Sequence, residues 1–314
     1  MTWRKLALLD GALLALAILA SRAALLLHEA VGHGLIAAAL GARSVTLKLS
    51  LFGGGGVTPS GFDPSPAGYA LFSLGGIAVN LLTGGAAWFV ARRLKRRGLL
   101  YVFLLMLGVG SIGQALFYLA NGFFYGEGDP TGFVGRRGDL APYQWMWVLF
   151  VLPFAVTAGL AARGYLDFFA GHAPVETPRR RLGWTAATVG VATLAYLGLW
   201  AATWNAKVDV SLRRLRVNTE IAKEAARRPP PPPGPVVPTP APPPAPVVTE
   251  EDVASKVPPP VAAVAMLAAG LIAAGIVLWR AKPAAEPAEL KPWPVAVAGS
   301  LAAAAIAAIA LVGR

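Results

Sequence analysis

The chain has 314 residues, of which 56% are hydrophobic and 14% charged, with a mean hydropathy of +0.58. A soluble domain carries about 25% charged residues, so this composition excludes an ordinary soluble globule and predicts an all-α polytopic protein of the cell membrane. The net charge of +12 sits mostly between apolar runs, as in Arg92, Arg93, Lys95, Arg96 and Arg97 or Arg179, Arg180 and Arg181; it reads as juxtamembrane charge facing the lipid bilayer, and no nucleic acid is expected as a partner.

An apolar run of about 20 residues crosses a bilayer as a helix. Runs of this kind cover 6–27, 67–91, 99–120, 145–162, 184–204, 261–279 and 294–312, which predicts about seven transmembrane helices. The first run passes through Leu25, Leu26 and Leu27 into a polar motif with no small-residue cleavage pattern, so it reads as a retained helix. Taken as one helix, 6–41 would be about 54 Å long, well beyond a bilayer core of about 30 Å. The chain has no cysteine, so any metal must be held by His, Asp or Glu.

That first run ends in His28-Glu29-Ala30-Val31-Gly32-His33, which holds two of the chain's three histidines. An ionisable cluster at membrane depth is costly and marks a functional site by default. In a zincin helix the two histidines are four apart and share a face. Here they are five apart, which on a regular helix sets them about 140° from each other. A π-bulge at Gly32 would restore convergence, because five residues is the π spacing. A helix break near Gly32 would be another solution. Glu29 and His33 are four apart, so a third arrangement makes Glu29 a ligand.

Ser44 to Leu51 alternates apolar and polar positions and runs into Gly53, Gly54, Gly55 and Gly56, which predicts a short strand and turn, closed as a hairpin by Val57 and Thr58. Lipid does not tolerate open strand edges, so this β segment belongs at the interface or against a protein cavity. Asp63, Glu127 and Asp139 are carboxylates near span ends that could complete a ligand set.

Domain boundaries follow composition. Residues 1–204 form a membrane-embedded core, 205–260 a polar and proline-rich linker, and 261–314 a C-terminal helix pair. In the linker, 12 of the 18 residues from Pro229 to Pro246 are proline, a composition that forms an extended rod of ~55 Å and offers a surface to a binding partner. The basic loops 92–98, 163–183 and 280–291 place themselves and the N-terminus in the cytoplasm, and the histidine motif toward the outside.

The order of motifs over roughly residues 9–140 resembles the site-2 protease family of intramembrane metalloproteases, peptidase family M50. That family has a His-Glu-x-Gly-His helix, a glycine-bearing β segment, a Gly-x-x-x-Asn span and a later Asn-x-x-Pro-x-Pro-x-x-Asp-Gly motif. This chain has HEAVGH, then SVTLKLSLFGGGG, then Gly76 to Asn80, then Asn121 to Asp129 at the family's own spacing. It departs from the family by one extra residue in the histidine motif, by the absence of both prolines, and by Pro130 in place of Gly. The eight residues HEAVGHGL are also similar to the His-Glu-x-x-x-His motif of soluble TldD-type metalloproteases, over that stretch alone.

The resemblance implies a three-helix metalloprotease core in which His28, His33 and Asp129 hold Zn2+, Glu29 is the general base and Asn80 positions substrate. It implies a transmembrane or juxtamembrane protein as the substrate, added to the strand at Ser44 to Leu51, and a histidine motif near the cytoplasmic side, which conflicts with the orientation read from the basic loops. The rival expectation is a non-catalytic scaffold, or a transporter that retains a metal-binding or proton-relay site.

Overall fold

The structure is a computed structural model and describes residues 3–49, 54–125, 129–130, 141–170, 177–202, 261–281 and 300. The expected linker 205–260, nearly all of the expected last span 294–312, and the candidate carboxylates Glu127 and Asp139 lie outside the described residues.

Helix α1 (Trp3–Leu26) passes without a break into a π-helical segment, Leu27–Leu35, and then into the short α2 (Ile36–Ala39). The extra residue between His28 and His33 is thus taken up by a wider helical turn, so the helix continues and the two imidazoles return to one face. A hairpin follows, β1 (Ser44–Leu49) against β2 (Gly55–Ser60), antiparallel with Ser44 opposite Ser60 and Leu49 opposite Gly55. The alternating exposure of β1 matches the period-two pattern of the sequence. Val57 and Thr58 pair with Leu47 and Thr46, and Gly55 and Gly56, which the sequence assigns to the turn, belong to strand β2.

Helix α3 (Pro66–Arg93) starts where the Ser65 side chain accepts from the Gly68 N–H at 3.2 Å, with proline in the first turn. Helix α4 (Leu99–Tyr125) runs back alongside it. A 3-10 stretch, Ala141–Phe150, leads into α5 (Val151–Phe169). Beyond these lie α6 (Pro178–Thr185), a π segment Ala186–Gly190, α7 (Val191–Ala202) and α8 (Val261–Arg280), which packs along α5.

Among the described residues four helices are long and apolar enough to cross a membrane: Leu6–Ala39, Pro66–Arg93, Leu99–Phe124 and Trp145–Phe169. Seven spans are thus not shown by the described residues, and the expected span 294–312 lies almost wholly outside them. The expected span 184–204 belongs to a helical run whose middle turn is π and whose described part ends at Ala202, and the helix at 261–280 contributes a shorter apolar stretch, Val264–Arg280.

Two ends of the bundle differ in chemistry. At one end a core cluster joins Leu9, Ala91, Tyr101, Leu166, Phe168, Phe169 and Leu278. The basic segments gather here: Arg97 lies over the Tyr101 ring and Arg181 bonds the Ala281 carbonyl. The π segment of the first helix, the hairpin and the start of α3 lie at the other end.

Candidate metal centre

Three glycines allow the first helix to reach α3. A Cβ on Gly32 would strike the backbone of Gly75 and Gly76, and one on Gly75 would strike the Gly32 carbonyl. The two backbones therefore touch at the histidine motif, the close approach that small residues permit between membrane helices. Gly76 has a further consequence. A methyl there would lie 2.5 Å from His28 Cε1, His28 Nε2 and His33 Nε2, so the missing side chain leaves the space into which both imidazole nitrogens point.

His28, Glu29 and His33 are 3%, 4% and 4% exposed. His33 Nδ1 lies 2.8 Å from the Phe72 carbonyl oxygen, to which it donates; its Nε2 is then the unprotonated nitrogen with a free lone pair. The His28 ring packs edge-on to His33 and lies 5.9 Å from the Tyr118 ring. Nδ1 of His28 has no hydrogen-bond partner among the described residues.

Asp129 reaches this pair from beyond the end of α4. Its Oδ2 lies 3.2 Å from His28 Nε2 and 3.4 Å from His33 Nε2, and the two nitrogens are 3.3 Å apart. Charge-assisted N–H···O bonds are shorter, about 2.7–2.9 Å. Ligand atoms about 2.0–2.1 Å from a tetrahedral ion, by contrast, lie about 3.3–3.4 Å from one another. The triangle His28 Nε2, His33 Nε2 and Asp129 Oδ2 therefore has the edges of a metal coordination face.

The ligand-capable atoms of His28, Glu29 and His33 all lie within 4.8 Å of one another. Glu29 is next to the triangle, and β2 closes over it: a Cβ on Gly55 would lie 2.9 Å from Glu29 Cγ and 3.0 Å from Oε1. The carboxylate is thus enclosed between the hairpin and the two imidazoles.

The structure brings His28, His33 and Asp129 together with Glu29 beside them. Among the described ion pairs both histidines meet Asp129, and Asp63 meets neither. Asn80 lies one turn further along α3 from Gly76, 1% exposed, with neither amide atom bonded among the described residues. Asn121 remains inside α4 and donates to the Phe117 carbonyl at 2.8 Å.

Sequence reasoning missed the Phe72 carbonyl, the contact of Gly55 with Glu29 and the Tyr118 ring. Gly76 was legible only as part of a Gly-x-x-x-Asn pattern, not as the residue that leaves room for the ligands. No protein-family model, no curated protein and no solved structure matches this chain.

Proposed function

We propose that the protein is an intramembrane zinc metalloprotease of site-2 protease type, which hydrolyses peptide bonds of membrane-associated substrates from a multi-pass position in the cell membrane. The observation that carries this reading is the triangle of two imidazole nitrogens and one carboxylate oxygen with edges of 3.2–3.4 Å and a second, buried carboxylate beside it. Three protein ligands with an open fourth position form a catalytic zinc site, whereas structural sites are closed by four.

His28, His33 and Asp129 would hold the zinc ion, which would supply polarisation of a substrate carbonyl and a bound water with its pKa lowered to about 7. The chain's own residues supply the remaining parts. Phe72 fixes the His33 ring through its carbonyl, which keeps the Nε2 lone pair turned toward His28 Nε2 and Asp129 Oδ2. Glu29 takes the proton from the attacking water and returns it to the leaving amine. Enclosure of the carboxylate by the hairpin and the imidazoles keeps bulk water away from it. An extended substrate segment adds to an unpaired hairpin edge through main-chain hydrogen bonds, and Asn80 serves to position it.

Cleavage provides the test. The full-length protein, reconstituted in vesicles with a panel of single-span membrane proteins, is expected to cut at least one of them, to stop when the metal is chelated, and to resume when zinc is restored. Cleavage that persists after the metal has been stripped would refute the reading.

The gathering of the basic segments at one end of the bundle supports a cytoplasmic location for that end, with the metal centre toward the outside. Because the chain has no cysteine, single replacements can report this directly. In intact cells Thr46→Cys is expected to react with an impermeant maleimide, and Lys95→Cys to react only after lysis. The opposite pattern would invert the orientation.

A further inference from the structure

Between α1, α4, α5 and α7 lies a cavity of about 430 Å3, on a different set of helices from the contact of α1 with α3. Its size falls within the roughly 300–1,000 Å3 of small-molecule sites. Its polar groups lie mostly toward the metal-centre end. Toward the basic end it is lined by Leu13, Met106 and Ala161 together with Tyr165, and toward the metal-centre end Ser21, Gln114 and Tyr196 stand among the apolar Ala24 and Phe154.

Ser21 Oγ and the Tyr196 hydroxyl are 2.9 Å apart, and Arg22 Nη2 donates to both, at 2.9 and 3.2 Å, which puts a cation behind the polar end. Among the described residues helices α5 and α7 make little contact with each other.

Ser111 lines the same cavity. It is 0% exposed, and its hydroxyl has no hydrogen-bond partner among the described residues. In a membrane helix a Ser or Thr hydroxyl ordinarily bonds back to the carbonyl four residues earlier. Thr157 does so to Pro153 at 2.8 Å and Thr188 to Trp184 at 2.7 Å. Ser111 does not take this option, and a buried donor left unmade costs free energy that a bound acceptor would recover.

We infer that this cavity holds one acyl chain of a glycerophospholipid from the leaflet on the metal-centre side, with the ester carbonyl accepting from Ser111 and the phosphate end toward Ser21, Tyr196 and Arg22. An apolar lower part, a hydroxyl with no acceptor and a cation behind the upper part occur in the order in which such a lipid presents tail, ester and phosphate. The site is independent of the metal centre and of its chemistry.

The test is native mass spectrometry of the full-length protein released from detergent, followed by titration of delipidated protein with palmitoyl-oleoyl phosphatidylcholine. Wild-type protein is expected to retain a phospholipid adduct. Ala161→Trp, which fills the cavity, should lose it. Ser111→Ala, too small a change to unfold the chain, should weaken binding roughly three- to tenfold. Retention of the adduct undiminished in both variants, absence of any retained phospholipid, or retention of a lipid without an ester would each overturn the assignment.

Discussion

Glu29→Gln is expected to lower proteolysis by about 10²- to 10⁴-fold, the usual contribution of a positioned general base, while leaving bound zinc in place. Glutamine keeps the shape of the side chain, which is packed under Gly55 and beside both imidazoles, but it cannot take a proton from water. The metal is retained because His28, His33 and Asp129 form the coordination face without it. Activity assays paired with elemental analysis of the same preparation check both halves. Loss of zinc from Glu29→Gln would make Glu29 a ligand and would replace His28 in the assignment.

Gly76→Ala is expected to cost at least about 100-fold in activity and to expel the metal, since displacement of catalytic groups by about 1 Å already has that effect. The new methyl would lie 2.5 Å from His28 Nε2 and His33 Nε2, where one of the rings has to move. Helix stability does not explain such a loss, because alanine favours a helix over glycine by about 1 kcal/mol. Gly85→Ala on the same helix is the control: its Cβ would meet nothing within 4 Å, and full activity and zinc are expected. Equal behaviour of the two variants would remove Gly76 from the site.

What the sequence reveals of this site depends on how local the determinant is. The five-residue spacing of His28 and His33 is a local fact, and it leaves a π turn, a helix break or Glu29 as ligand open; the structure has the π turn, which faces both rings one way without breaking the helix. The hairpin is legible for the same reason, from alternation and glycine. Its register is not, since the glycines that look like turn residues belong in part to β2, where Gly55 has to lie against Glu29.

Span ends are harder to read. The apolar window stops at residue 162, but α5 continues to Phe169, helped by the Arg163–Asp167 pair one turn apart at 3.3 Å. Contacts between distant segments leave no local trace: nothing in the residues around Phe72 marks its carbonyl as the partner of His33. Asp129 lies 96 positions after His33, and its place beside the histidines is suggested only by the resemblance in motif order.

The central claim is that His28, His33 and Asp129 hold a zinc ion. Zinc-edge X-ray absorption on purified full-length protein tests it most directly, together with zinc content in His33→Ala and Asp129→Ala. The account predicts one zinc per chain with two imidazole nitrogens and one carboxylate oxygen at about 2.0–2.2 Å, and loss of the ion in both variants. Protein that remains metal-free after zinc is added, or variants that keep the ion, would contradict it.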